Sequence, residues 1–323
     1  MVRRLFASNL QTNNVAGLAA ALATRVQSGR TLAEMSGLGS YFFYPYPQFL
    51  GSASGAGMIV IDSNDESRYK ALQVQVERRH SAGYVSVAYT LAKSEDTRSF
   101  DPAFTTAATG SSQSASSTPF DIFNRDLNWA LSDFDRRHVL QGSFSLELPF
   151  GQGRRFAGNA SGVLERIVSG WNLAGAVTWQ SGRPFTVYAG SNTLSNTVQT
   201  PANCNGCDPH MGSVFKAEGT GYVWLFDDTD LAKFSIPGPG EFSNVGRNYF
   251  ITAPAFNVNF SLGKRTRIIG GQTLEIRMDA TNFLNQVMFS TAPTAVITST
   301  TFGRIAAPGS GAASSASRKI SWG

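Results

Sequence analysis

The residues best suited to chemistry are two cysteines and one histidine. Cys204 and Cys207 enclose Asn205-Gly206, and His210 follows three residues later. A structural zinc site needs four ligands, and His210 is the one further ligand nearby in the sequence. A redox-active pair belongs at the start of a helix that follows a strand, a pattern that these residues do not show. We therefore predict a disulfide across an exposed turn, which implies an oxidising compartment, with a metal or redox site as the alternative.

The other candidate groups form no catalytic pattern. His80 and His138 lie in different segments, and the sequence contains no Gly-x-Ser-x-Gly, P-loop or His-Glu-x-x-His motif. Asp227, Asp228 and Asp230 are close enough to bind Ca²⁺ with loop carbonyls, but a solvated acidic loop is the simpler interpretation. We expect no enzymatic activity, no metal site and no cofactor.

The composition differs from that of a soluble domain. Charged residues make up 15% of the 323 residues, against about 25% in typical soluble proteins. The longest apolar run, residues 15–24, is much shorter than the ~20 residues of a spanning helix. A membrane protein without spanning helices must be a closed barrel, because only these two structures satisfy the backbone in lipid. The net charge of +5 comes from scattered residues, so we expect no nucleic-acid partner.

From about residue 67 onwards the hydrophobic pattern has period two, which predicts strands. The alternating segments are approximately 69–79, 85–91, 137–148, 171–180, 256–262, 274–281 and 317–323. Several are close to the ~10 residues that a tilted strand needs to cross a bilayer. Residues 39–50 are a doubtful eighth strand, because prolines interrupt them. We interpret residues 1–66 as a loop-rich segment and residues 67–323 as part of an all-β, antiparallel transmembrane barrel.

The polar positions of these segments are the candidate lumen-facing residues, because the apolar positions would face lipid. They are Gln73, Gln75, Glu77, Asn172, Thr178, Gln180, Asn257, Asn259, Glu275, Arg277 and Asp279.

The connections between the segments alternate in length. Links at 80–83 and 264–272 are short and 149–170 is medium, whereas 93–136, 181–254 and 285–316 are long. Long loops without regular structure are uncommon in compact soluble domains. Outer-membrane barrels have short periplasmic turns and long extracellular loops. The alternation therefore favours a transmembrane barrel over a soluble β-sandwich.

Several motifs resemble the late barrel strands of TonB-dependent outer-membrane receptors that carry an N-terminal carboxypeptidase-regulatory-like domain. In chain order they are Tyr69-Lys70-Ala71-Leu72-Gln73-Val74-Gln75-Val76-Glu77-Arg78-Arg79, Tyr89-Thr90-Leu91-Ala92-Lys93-Ser94, Asp135-Arg136-Arg137-His138, Glu147-Leu148-Pro149-Phe150-Gly151-Gln152-Gly153-Arg154, Gly170-Trp171, Gln180-Ser181-Gly182-Arg183-Pro184-Phe185, Gly246-Arg247-Asn248, Asp279-Ala280-Thr281-Asn282-Phe283-Leu284-Asn285 and Phe302-Gly303-Arg304-Ile305. Their shared order over residues 64–305 is more specific than any one of them.

The resemblance implies a barrel of about 22 strands that encloses a plug and imports a scarce nutrient with energy from the TonB complex. This chain would supply seven or eight of those strands. Its expected partners are outer-membrane lipid, the missing upstream strands and plug, the TonB complex through that missing part, and an unknown small-molecule or oligomeric substrate. The export signal is expected upstream of Met1. The chain ends on Trp322-Gly323 rather than on a terminal aromatic residue, so the last strand is expected to be truncated or altered.

Two other functions are compatible with the pattern. A stand-alone outer-membrane barrel or surface adhesin would display the same long loops, and an extracellular β-sandwich enzyme ranks third.

Overall fold

A computed structural model describes residues 7–12, 14, 17–18, 26–27, 30–31, 64–99, 119–121, 124–191, 193, 200–216, 222–287, 289, 292–305 and 319–322. The predicted eighth strand at 39–50 lies outside these residues, as does 100–118 of the first long loop. The α-helices whose bounds lie within these residues are short: α1 (Ala7–Gln11), α2 (Gly162–Val168) and α3 (Asp228–Leu231). Single turns of 3₁₀-helix span Arg125–Asn128 and Ile269–Gly271.

The chain is dominated by one antiparallel sheet in which strands follow one another in sequence order. Its strands are β1 (Ser67–His80), β2 (Gly83–Asp96), β3 (His138–Glu147), β4 (Trp171–Gln180), β5 (Ala255–Arg267), β6 (Thr273–Thr281) and β7 (Lys319–Trp322). The two-residue strand Ala130–Leu131 is attached to β2. Each alternating segment of the sequence overlaps one of β1 to β7. The number of strands in a closed barrel stays a prediction.

An up-and-down order places alternate connections at opposite ends of the sheet. Residues 81–82, 148–170 and 268–272 connect strands at one end, which we call the turn end. Residues 97–137, 181–254 and 282–318 connect them at the other, the loop end. The link predicted at 264–272 is shorter than expected because β5 continues to Arg267, and the first loop starts later because β2 continues to Asp96.

The sheet separates polar from apolar side chains across its whole width. Residues paired directly across strands share a face. One row of partners is Gln75, Ala88, Gln141, Thr178 and Asn257. The adjacent row, on the opposite face, is Val76, Val87, Gly142, Val177 and Val258. We call these the polar face and the apolar face.

The apolar face is not a buried core. Within β1 to β6, all of which are described, the buried residues are Ala92, Asp96, Ala255 and Ala280. Large apolar side chains such as Leu72, Val76 and Ile276 are exposed. An apolar surface of this extent is unfavourable in water and suits a lipid environment. Among the described residues, no helix has the length and hydropathy that crossing a membrane requires, a finding that concerns helices alone.

The hydrophobic core lies in the long loops. We call residues 181–254 and 289–305 the cap. Its buried apolar residues are Phe185, Val187, Ala202, Cys204, Leu225, Phe226, Phe250, Phe302 and Ile305. Aromatic rings contact one another at its centre, where Phe226 is 1% exposed and lies 5.3 Å from Phe234 and 5.7 Å from Phe302, centroid to centroid. These loops therefore fold on one another.

The expectation that the long loops lack regular structure is wrong for the described part of the cap. Short strands pair Pro184–Phe185 with Phe250–Ile251, Asn203–Cys204 with Phe234–Ser235, and Val223–Trp224 with both Phe215–Lys216 and Arg304–Ile305. The last of these pairings joins the two loops of the cap through backbone hydrogen bonds. Phenylalanines distributed without a period gave no sign of this packing in the sequence.

We predict that arginine is tolerated on one face of the sheet and not on the other. Val177→Arg should lower the free energy of unfolding by about 2–4 kcal/mol, because it puts a charge into lipid near the midplane. Ile276→Arg should cost less, because Ile276 is in register with Lys264 and Trp171 towards the turn end. Thr178→Arg, one residue along β4 and on the polar face, should have a small effect. Unfolding of the protein in lipid vesicles measures the difference, and equal tolerance at Val177 and Thr178 would contradict the assignment of the faces.

We also predict that Phe226→Ala destabilises the cap by about 3–5 kcal/mol, the usual cost of removing a buried aromatic side chain. Protease cleavage within residues 181–254 at increasing urea concentration measures the stability of the cap. Phe215→Ala, an exposed position in the same cap, is the matched control and should have little effect. If both variants are cleaved at the same urea concentration, Phe226 does not hold the cap together.

Candidate functional site

All eleven candidate lumen-facing residues lie on the polar face. Gln180 is paired with Val139 and Ala255, Thr178 with Gln141 and Asn257, and Asn172 with Glu147 and Gly263. Through the same ladder, Arg277 is opposite Gly263 and Asp279 is opposite Ser261. The structure thus brings residues from four separate segments onto one surface. That this surface lines a lumen stays a prediction.

Neighbouring side chains on the polar face bind one another. Gln75 Nε2 donates to Glu77 Oε1 at 2.8 Å, and Asn257 Nδ2 donates to Asn259 Oδ1 at 3.3 Å. Arg277 Nε donates to Asp279 Oδ2 at 2.8 Å. These pairs lie along single strands, at positions i and i+2. These groups form a polar wall in which each side chain binds a neighbour on its own strand. They do not converge on one reacting atom.

A cleft of about 170 Å³ lies at the loop end of the polar face. Its walls are Tyr69, Thr90, Ala92, Ser94, Phe134, Asp135, Arg136 and Val139. Tyr69 and Phe134 are exposed, and Asp135 and Arg136 bring one charge of each sign. The candidates chosen from alternation omit these residues, because the cleft forms where strands β1 and β2 meet the first loop.

Asp135 and Arg136 also form hydrogen bonds that hold the loop ends of β2, β3 and β4 together. Asp135 Oδ1 accepts a hydrogen bond from the backbone N–H of Ser94 at 2.6 Å, and Arg136 Nη1 donates to the carbonyl of Ser181 at 2.5 Å. Burial raises the pKa of Asp135, against the opposing effect of the Ser94 N–H. Burial lowers the pKa of Arg136 to about 10. The motif at 135–138 therefore has a structural role at the loop ends of β2, β3 and β4.

A buried ion pair joins the end of β2 to the cap. The side chain of Arg247 is 1% exposed, and its Nη2 forms an ion pair with the carboxylate of Asp96, which is 3% exposed. Arg247 Nε also donates to the carbonyl of Asn128 at 3.0 Å. Next to it, Asn248 Nδ2 donates to the carbonyl of Leu131 at 2.7 Å and to Asp133 Oδ1 at 2.6 Å.

Asp96 and Arg247 were not selected from the sequence as site residues, although Gly246-Arg247-Asn248 is among the motifs that carry the resemblance. The separation of Arg247 from Asp96 by 151 residues leaves no local pattern to reveal the pair.

The two cysteines lie in the cap. The structure joins Cys204 and Cys207 through their sulfur atoms, with Cα atoms 5.7 Å apart. The Asn-Gly turn between them is exposed, as expected, but Cys204 itself is buried because its strand pairs with Phe234–Ser235. The side chain of Asn244 fixes this strand by accepting from the Cys204 N–H at 2.9 Å and donating to its carbonyl at 3.0 Å.

The remaining residues that were considered for chemistry form hydrogen bonds and ion pairs with their neighbours. Asp227 caps helix α3 by accepting from the N–H of Asp230 at 2.9 Å, and the hydroxyl of Thr229 lowers the pKa of the Asp227 carboxyl through a second hydrogen bond. Asp230 pairs with Lys233 at 2.8 Å. His138 Nδ1 lies 2.8 Å from the hydroxyl of Tyr89. Across the described ranges, no group of three His, Cys, Asp or Glu side chains is placed to hold a metal ion.

We predict that Cys204 and Cys207 resist alkylation in the isolated, unfolded protein until a reductant is added. Unfolding removes the burial of Cys204, so that resistance then reports the covalent bond alone. Mass spectrometry after treatment with iodoacetamide counts the modified thiols. Alkylation of both residues without reductant would show free thiols.

We predict that Arg247→Ala destabilises the junction of β2, the first loop and the cap by about 3–5 kcal/mol, because it leaves the buried Asp96 carboxylate without a cation. Asp96→Ala should cost less, because Arg247 keeps the carboxylate of Asp133 as a partner at 3.6 Å. The double variant should lose less than the sum of the two single variants. Proteolysis in urea measures all three.

An exposed pair on the same sheet, Arg265 with Glu275 at 3.0 Å, is the control and should contribute about 0–1 kcal/mol. Strict additivity at Arg247 and Asp96 would argue against a direct interaction.

Comparison with known proteins gives one result. A family model described as outer membrane beta barrel domain matches residues 6–320. Neither the curated proteins nor the solved structures contain a match. The matched residues include all of β1 to β6, the cap and the first two residues of β7. The sheet with its polar and apolar faces therefore lies almost entirely within the family match. The chain belongs to the family of outer membrane β-barrel domains, and its location is the bacterial outer membrane.

Proposed function

We propose that this chain is the C-terminal barrel portion of a TonB-dependent outer-membrane receptor that imports a scarce nutrient. The observation that carries the proposal is a sheet with one polar face and with the cap at its loop end. Within the described part of the chain, neither edge of this sheet has a partner strand. The resemblance of the motifs over residues 64–305 supports the same assignment.

The open edges support the view that further strands belong to the functional barrel. The hydrogen-bond ladder of the sheet runs from β7 to β1, and every residue of β1 is exposed. Unpaired backbone N–H and C=O groups in lipid cost several kcal/mol each. Bacterial single-chain barrels also close with an even number of strands, and seven strands form the path of the described sheet. Upstream strands that pair with β1 would remove this cost.

The polar face and its cleft support passage of a ligand. A polar wall suits hydrated solutes, and the cleft at the loop end offers aromatic rings beside charges of both signs. In this proposal the cap faces the exterior, the substrate enters near the cleft, and the plug and the TonB complex act through the upstream part of the receptor. The proposal assigns no catalytic step to the chain.

Growth under nutrient limitation tests the import function. Cells that lack the gene are compared with wild type in media limited in turn for iron, for a vitamin and for an oligosaccharide carbon source. Import predicts a growth defect in one medium that matches the defect of cells without TonB. Normal growth in every medium, together with poorer attachment to surfaces, would favour an adhesin instead.

We predict that residues 1–323, expressed with an export signal and reconstituted in bilayers, form no stable pores, because the open edges prevent closure. Single-channel conductance and heat-modifiable migration on gels measure closure. A heat-modifiable monomer with stable pores would contradict the proposal that upstream strands are required.

A further inference from the structure

Helix α2 exposes an apolar surface at the turn end of the sheet. It lies in the connection between β3 and β4, and Val163, Leu164 and Ile167 are 73%, 56% and 60% exposed. Positions i, i+1 and i+4 share one side of a helix. Three large apolar side chains are therefore presented together outside the protein, where water would disfavour them.

The C-terminal half of α2 is held against the apolar face of the sheet. Trp171 Nε1 donates to the carbonyl of Ile167 at 3.1 Å, and Thr266 Oγ1 donates to the carbonyl of Arg166 at 3.4 Å. Lys264 Nζ donates to the carbonyl of Ser169, just after the helix. The last carbonyls of a helix have no partner within it, and here side chains of the sheet supply the partners.

The three donors belong to the apolar face. Lys264 is paired directly with Trp171 and with Ile276, and Thr266 is paired with Leu274. The helix is thus attached on the side of the sheet that faces lipid, not on the polar face. The exposed side chains of α2 thus belong to a segment that is bound to the apolar face.

The attachment is close and leaves little freedom. Gly170, between α2 and β4, has φ +70°, and a Cβ atom there would lie 2.1 Å from the carbonyl oxygen of Arg265. The N–H of Arg265 donates to the carbonyl of Gly170 at 2.9 Å. Only glycine accommodates this approach of two backbones, so the end of α2 is fixed at the turn end of β4 and β5.

The position of α2 along the strands corresponds to a bilayer rim. Trp171 and Trp179 lie on the same face of β4, eight residues apart, which is ~26 Å along a strand at ~3.3 Å per residue. A tilt of ~40° reduces this to ~20 Å of height, comparable with the ~25 Å apolar band of outer-membrane barrels. Lys264 Nζ lies 5.4 Å from the centre of the Trp171 ring. Tryptophan and lysine are common at such interfaces.

We propose that α2 is an interfacial anchor that inserts Val163, Leu164 and Ile167 into the phospholipid leaflet at the turn end of the barrel. The occupant of this surface is lipid because the helix is bound to the apolar face, beside Trp171 and Lys264, in a member of an outer-membrane family. An amphipathic helix at an interface buries its apolar side at the boundary of headgroups and acyl chains. The anchor holds the rim of β4 and β5 at a set depth, independently of any imported substrate.

Site-specific fluorescence in a bilayer tests the anchor. A single cysteine replaces Leu164 in the full gene product, with Cys204→Ala and Cys207→Ala so that an environment-sensitive dye has one target. The protein is purified from the outer membrane and reconstituted in phospholipid vesicles that contain lipids with a spin label near the headgroup. We expect blue-shifted emission from the Leu164 site and quenching several-fold stronger than in the control.

The control and the reference come from the same chain. Gln152→Cys is the control, because the backbone N–H of Gln152 donates to Glu165 Oε2 at 2.7 Å and so lies beside the polar side of α2. Ile276→Cys, on the apolar face, is the reference for a site in lipid. Equal weak quenching at Leu164 and Gln152, with strong quenching at Ile276, would overturn the anchor. Blue-shifted emission without quenching by lipid would overturn it too, in favour of a protein partner. Neither result would bear on nutrient import, which the growth experiment tests.

Discussion

A backbone N–H or C=O group in a bilayer must find its partner in a neighbouring strand, because no water is available to replace that partner. Among the described residues, the ladder from β1 to β6 meets this requirement between its outer strands, and β7 extends it along Met278–Thr281. Once the ladder supplies the polar contacts of the backbone, side chains are free to differ between the two faces. The apolar face then needs lipid rather than a second protein layer, and the sheet has almost no buried residues.

The usual relation between regular structure and core is therefore reversed in this protein. The strands are the exposed part, and the buried phenylalanines lie in connections that return to water at the loop end. The cap obtains its stability as a small soluble domain does, from aromatic packing around Phe226 and from the charged contact between Arg247 and Asp96. The hydrogen bonds of Asp135 to Ser94 and of Arg136 to Ser181 hold one wall of the cleft against the strand ends.

Alternation predicted the sheet well because its period reports directly which face each residue occupies. The segment predicted at 171–180 is β4 as the structure has it, and the polar positions of four segments fall on one face. The cap was not predictable in the same way. Phe185, Phe226, Phe250 and Phe302 meet in space but follow no period, since tertiary packing of loops imposes none. The cleft was missed for a related reason, because Tyr69 and Phe134 come together only after β1, β2 and the first loop are assembled.

The sequential order of the strands has a consequence for how such proteins change over evolutionary time. Each strand of the main sheet is bonded only to strands that are its neighbours in the chain, apart from the short strand attached to β2. A hairpin can therefore be gained or lost by a single duplication or deletion without rerouting any other connection. Because a hairpin contains two strands, every connection that remains keeps its side of the membrane. Barrels with different numbers of strands can thus evolve from one another, and the loops on the outer side of the membrane stay on that side.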